Sequence, residues 1–149
     1  MKYMVPVDYS EHARVVLGHA LALAARQGAE VTVAHVWETQ PRVSPTLRVT
    51  TPDGRTATIS ELIAEEAGAA MTEFLGTVPV PAGVKVDRVM LSGAAAEAIT
   101  GEAARGGFDL IVMGTQGRSG IGRLVLGSVV ERVLRTSTVP VLAVPFRRP

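Results

Sequence analysis

Short apolar runs alternate along the chain with longer stretches in which apolar residues recur every three or four positions. The run from Lys2 to Val7 predicts a strand ending at Asp8. Ser10 is placed to cap a helix that begins at Glu11 and gathers Val16, Leu17, Ala20, Leu21 and Ala24 on one face. Gly28 marks its stop. Val31 to Trp37, rich in β-branched residues, predicts a second strand. Ile59, Leu62, Ile63, Ala67, Ala70, Met71, Phe74 and Leu75 then predict a helix capped by Thr58 or Ser60. Val84 to Leu91 reads as a third strand, and Ala94 to Ala104 as a short helix with Glu97 and Glu102 on its polar side. Leu110 to Met113, led in by Asp109, is a fourth strand. Val125, Leu126, Val129, Val130, Val133 and Leu134 form a helical stripe, and Val139 to Val144 is the last strand, with Pro140 at its start or edge.

One segment breaks the alternation. Residues 38–57 hold Pro41, Pro45 and Pro52 and the Asp53-Gly54 pair, which makes a long connection. Leu47 to Thr51 and Arg55 to Ile59 are suited to a small hairpin across Pro52-Asp53-Gly54. The order is therefore βαβ-loop-αβαβαβ. Such alternation predicts an α/β fold: an open five-stranded parallel sheet with helices on both faces, in one domain spanning 1–149.

Composition narrows the picture. Hydrophobic residues make up 47% and charged residues 19% of the 149, a balance that supports a packed core. Aromatics are only 4%, so that core must be aliphatic. Fifteen Lys and Arg against fourteen Asp and Glu leave a net charge of +1, which offers no electrostatic case for a nucleic-acid or membrane partner. The absence of cysteine excludes disulfides, thiolate metal sites and cysteine nucleophiles. His12, His19 and His35 lack metal-ligand spacing and read as surface or strand-end residues. The stretch from Met1 to Asp8 has no signal-peptide pattern, and the most apolar stretch, Ala13 to Ala25, is interrupted by Arg14 and His19. A cytoplasmic protein is expected.

In an open parallel sheet, ligands sit beyond the carboxyl ends of the strands. That rule selects Asp8 to Ser10, Val36 and Trp37, Ser92 and Gly93, and the segment after Met113. The last of these is Gly114-Thr-Gln-Gly117-Arg118-Ser-Gly120-Ile-Gly122-Arg123-Leu-Val-Leu-Gly127-Ser128. Glycines let a backbone approach an anion closely, and the first turn of the helix that follows has amides without intrahelical partners. Gly127, Ser128 and Val129 fall at that turn, with Arg118 and Arg123 near enough in sequence to add charge. This pattern suits a phosphate cradle; glycine clusters after a strand also serve as plain turns. It matches neither the G-x-G-x-x-G fingerprint nor the P-loop, and the segment has no lysine. Asp8 has two readings as well, helix cap or ligand contact. No Gly-x-Ser-x-Gly elbow occurs, nor the His-Ile-Gly-His or Ser-Gly-Gly-x-Asp-Ser motifs of ATP-handling α/β enzymes.

Gly-x-x-Gly, nine residues, then Gly-Ser falls on Gly114, Gly117, Gly127 and Ser128 without departure. With Val-Pro-Val-Asp8-Tyr-Ser10, His35-Val36, Gly93-Ala-Ala-Ala-Glu-Ala-Ile99 and Val-Pro-Val-Leu-Ala-Val at the end, the chain resembles the universal stress protein family along its whole length. The resemblance implies a Rossmann-like fold of the adenine nucleotide alpha hydrolase kind. It implies ATP with Mg²⁺ or Mn²⁺ as ligand, and a stress-response or regulatory module with little or no catalysis; the rival reading is a slow ATP hydrolase or phosphoryl-transfer enzyme. Pro6, Val7 and Asp8 would then line the adenine and ribose pocket, and Val36 would meet the base through its backbone. Met113 and Gly114 would lie along the nucleoside, and Gly117, Arg118, Gly127, Ser128 and Val129 would hold the phosphates. The apolar last strand, 139–144, would pair with its copy in a homodimer. Two departures stand out: Tyr9 where glycine is frequent, and Ala95 where proline is common.

Overall fold

A computed structural model describes residues 1–37, 43–116 and 126–146. Its elements follow the chain as β1 (Lys2–Pro6), α1 (Glu11–Gln27), β2 (Glu30–Trp37), β3 (Arg48–Thr50), β4 (Thr56–Thr58), α2 (Ile59–Gly76), β5 (Val86–Ser92), α3 (Ala95–Arg105), β6 (Leu110–Gly114), α4 (Ser128–Thr136) and β7 (Val141–Val144). Five parallel strands form one sheet in the order β5-β2-β1-β6-β7, and β3 and β4 pair separately as an antiparallel hairpin.

Alternation along the strands divides the core in two. Tyr3, Val5 and Val7 of β1 and its exit, with Val31, Val33, Val112 and Val144, pack beneath α1 and α2. Met4, Ala34, Ile111 and Met113 face the other way, against Ala96, Ile99 and Ala103 of α3 and Val130 and Val133 of α4. Successive side chains of a strand point to opposite faces, so each strand serves both layers.

The local signals act where the sequence places them. The Ser10 hydroxyl accepts from the Ala13 amide at the start of α1. Gly28 closes that helix at φ +64°, donating back to Ala24, in a left-handed conformation that glycine adopts without a Cβ clash. At α2 the cap is Thr58 rather than Ser60: Thr58 and Glu61 form a reciprocal capping box. The Ser60 amide is instead held by the Pro45 carbonyl.

The segment that breaks the alternation is an anchored excursion. Gly54, at φ +85°, donates to the Thr51 carbonyl across Pro52 and Asp53, and Arg48, Val49 and Thr50 pair with Thr58, Ala57 and Thr56. Arg55 grips Glu65 with two hydrogen bonds of 2.8 and 2.7 Å, and Ile59 donates to the Leu47 carbonyl. The hairpin thus finishes the N-terminus of α2. Residues 38–42 lie outside the described set.

The C-terminal third is shorter in structure than in pattern. α4 begins at Ser128, so Leu126 precedes it, and Val125 lies outside the described residues. Its buried residues are Val130 and Val133, whereas Val129 and Leu134 remain 38% and 44% exposed. A nine-residue helix lying on one sheet face buries a narrow stripe, and the flanking apolar positions stay outside it. β7 starts at Val141, after Pro140, and forms the open edge of the sheet beside β6.

Candidate functional site

Strand order reverses beside β1: the chain builds β2 and β5 on one side of it and β6 and β7 on the other. The β1–β6 register runs only through Tyr3 with Leu110 and Met4 with Ile111, whereas β1 and β2 pair from Lys2 to Pro6. Ladder pairing with β6 therefore ends short of both strands' carboxyl ends. A crevice at such a switch point is the expected place for a ligand.

A cavity of about 500 Å³ lies there. It brings together Pro6, Val7 and Asp8 from the end of β1, Val36 from β2, Met113 and Gly114 from β6, and Gly127, Ser128 and Val129 at the start of α4. These are nine of the eleven residues that the sequence and its resemblance single out. The other two, Gly117 and Arg118, lie outside the described residues, as does Arg123.

The phosphate-suited end of the cavity is a helix start without a side-chain cap. Gly127 is the N-cap of α4, in extended geometry at φ −60° and ψ 145°. Its amide donates to the Thr115 carbonyl at 2.8 Å, which ties the helix to the strand exit at β6. The first-turn amides that follow have no intrahelical acceptors, and the helix dipole is positive there. Gly114 is a glycine for a different reason. Its backbone angle is ordinary, but a Cβ would lie 2.6 Å from the His12 ring and 3.3 Å from Val16.

The other end is built around aromatic rings. The His35 Nδ1–H donates to the Val7 carbonyl at 2.8 Å, and Tyr9 stacks on that imidazole with centroids 4.2 Å apart. Tyr9 also leans on Phe74, and its hydroxyl donates to the Ala67 carbonyl at 3.3 Å. Its backbone sits at φ +63°, the left-handed region, so the glycine frequent at this place in the family has a conformational reason. Left-handed backbone costs a side-chain-bearing residue about 1–2 kcal/mol. Ring burial and stacking together return about 2–4 kcal/mol. Tyr9→Gly should therefore destabilise the fold by about 1 kcal/mol, read by urea denaturation; a gain in stability would show that the strain dominates. Ala95, the second departure, occupies the first turn of α3, where proline's fixed φ is merely convenient.

Asp8 does not cap α1, a role that Ser10 takes; its Oδ1 accepts the Ser10 amide at 3.0 Å, and the residue lines the cavity. Two histidines line the cavity without having been assigned to it from the sequence. His12, read there as a surface or strand-end residue, is 7% exposed and contributes to the cavity wall; His35, at the strand end as expected, does so too. His19 alone of the three is an exposed surface residue. Among the described residues no group of three His, Asp or Glu side chains is close enough to hold a metal ion, and no helix is long and apolar enough to cross a membrane.

Comparison with known proteins bears on this geometry. The family model described as the universal stress protein family matches residues 1–145. Universal stress protein MJ0531 of Methanocaldococcus jannaschii is 36% identical over 143 residues, covering 96% of this chain and 81% of its own. The solved structure of MJ0577 superposes with a TM-score of 0.75 at 28% identity, over 99% of this chain and 97% of that one. A universal stress protein crystallised in complex with cAMP superposes with a TM-score of 0.62 at 25% identity, over 97% and 96% of the two chains.

Proposed function

The chain belongs to the universal stress protein family, and from that premise we propose that its switch-point cavity holds an adenine nucleotide, ATP foremost, as a bound regulatory ligand. One observation carries the reading: nine residues drawn from four separate stretches of sequence converge on one cavity whose floor is an uncapped helix start. The cAMP complex of a related protein supports an adenine nucleotide as the ligand class.

The residues fit the parts of ATP by their chemistry. Val7, Val36 and Met113 offer apolar surface to a base, which the Val36 backbone would meet, and Asp8 offers a carboxylate to ribose hydroxyls. The amides after Gly127 and the Ser128 hydroxyl would receive the phosphates, with Gly117 and Arg118 assigned to the same end. Mg²⁺ or Mn²⁺ would travel on the phosphates and neutralise part of their charge.

Retention rather than turnover follows from the same residues. Rapid hydrolysis requires a base that activates water beside the terminal phosphate. Among the described residues at that end, Gly114, Gln116, Gly127, Ser128 and Val129 present amides and a hydroxyl, and the His12 imidazole beside Gly114 has its Nε2 engaged by the Val144 carbonyl. We expect protein freshly purified from cells to release ATP, ADP or AMP on denaturation. Turnover with Mg²⁺ should fall far below the roughly 10 s⁻¹ of an ordinary enzyme. A rate in that range, abolished by Ser128→Ala, would establish an ATPase instead.

Two further assignments complete the reading. The protein works in the cytoplasm, and two copies pair through β7, whose Leu142 is 42% exposed at the sheet edge.

A further inference from the structure

We infer that His12 is a positioning residue that joins the ligand cavity to the edge strand β7, so that filling the cavity is felt along Leu142 to Phe146. The inference rests on the nucleotide reading of the cavity and adds to it a route by which occupancy reaches a second surface.

That surface is a groove of about 1,110 Å³ between α1 and β7, walled by Val15, Leu23, Leu142 and Phe146 among others. His12, in the first turn of α1, contributes to the walls of both the groove and the cavity. Its Nε2 lies 3.2 Å from the Val144 carbonyl and must carry the hydrogen of that bond. Phe146 meets the imidazole edge-on, with centroids 5.0 Å apart and planes at 86°. A Cβ on Gly114 would lie 2.6 Å from Cδ2 and Nε2 of the same ring, so the imidazole takes the space that a side chain at 114 would need.

A continuous set of hydrogen bonds runs through this point. Gly127 donates to the Thr115 carbonyl at 2.8 Å, Thr115 donates to the Val144 carbonyl at 3.0 Å, and His12 bonds the same carbonyl. Phe146 donates to the Thr115 hydroxyl at 3.2 Å. The start of α4, the exit of β6 and the end of β7 are thus one connected unit, with the imidazole wedged into it. Contiguous hydrogen-bonded and packed groups are the means by which sites couple. A purely structural role explains less. The Val144 carbonyl already has the Thr115 amide as partner, so an aliphatic side chain of similar bulk would fill the space without burying a polar ring.

By linkage, a ligand in the cavity and an occupant of the β7 groove must change each other's affinity by the same factor. The test is residue-resolved amide exchange by NMR on the whole chain, with and without ATP and Mg²⁺, in wild type, His12→Gln and His12→Leu. Glutamine keeps an N–H donor near the Nε2 position; leucine keeps bulk alone. In wild type and His12→Gln, ATP should slow exchange at 113–116 and also at 142–146. In His12→Leu the slowing at 113–116 should persist, that at 142–146 should fall severalfold because only the Thr115 bonds remain, and ATP should bind about fivefold more weakly. Protection that stops at 116 in wild type, or that reaches 142–146 equally in His12→Leu, would overturn the inference and leave the nucleotide reading standing. Absence of any ATP effect at 113–116 in wild type would overturn both. Should His12→Leu fail to fold, wild type and His12→Gln decide the matter: protection must extend to 142–146 in both.

Discussion

Replacing Gly127 by valine should weaken ATP binding at least tenfold, about 1.4 kcal/mol, while the fold stays intact. The backbone at Gly127, φ −60° and ψ 145°, is one that a β-branched residue adopts without strain. Its amide bond to the Thr115 carbonyl asks nothing of the side chain. What changes is the cavity, because a branched side chain would stand at the uncapped start of α4, where the phosphates are to meet amides. Calorimetry on wild type and Gly127→Val provides the comparison, with thermal unfolding as the check on folding. Equal affinities in two well-folded proteins would remove the helix start from the site.

Ala143→Pro should convert a dimer into a monomer. The bonds from Ile111 to the Pro140 carbonyl and from Thr115 to the Val144 carbonyl set the alternation along the last strand. In a parallel ladder, residues two apart face the same neighbour, so Pro140, Leu142 and Val144 turn their polar groups to β6. Val141 and Ala143 turn theirs outward, to the open edge. A proline at 142 would damage the sheet of a single chain, whereas a proline at 143 removes an outward amide alone. In a two-fold dimer the loss occurs twice, about 2 kcal/mol in all, or about thirtyfold in the dimer's dissociation constant. Light scattering at micromolar concentration should give wild type twice the mass of the 15.6 kDa chain and Ala143→Pro a mass near one chain. Wild type at the mass of one chain would contradict the pairing.

The sequence was most readable where a local signal decides local geometry. Ser10 and Gly28 bound α1 because capping and left-handed closure need only neighbours a few residues away. Pro52, Asp53 and Gly54 made the hairpin visible for the same reason. Periodicity alone left Thr58 and Ser60 equivalent as caps, and the reciprocal partner Glu61, three residues after Thr58, was the signal that separates them. The stripe of α4 looked broader than the face it buries, since periodicity cannot say how much sheet lies beneath a helix.

Most of the candidate site was legible through its glycine spacing and strand ends, because the switch-point rule converts strand order into a place. His12 was not. Its hydrogen-bond partner, Val144, is 132 residues distant, and nothing near it in the chain distinguishes a buried imidazole from a surface one. Tyr9 gives another instance. Its left-handed backbone is sustained by His35, Phe74 and Ala67, none of them close in sequence.

An adenine nucleotide in the switch-point cavity should be visible when ATP and Mg²⁺ are titrated into isotope-labelled protein and backbone amide shifts are followed. Saturable shifts should concentrate at Val7, Asp8, Val36, Gly114, Ser128 and Val129. No shifts at millimolar ATP, or shifts centred on Val15, Leu23 and Leu142 in the α1–β7 groove, would contradict that placement.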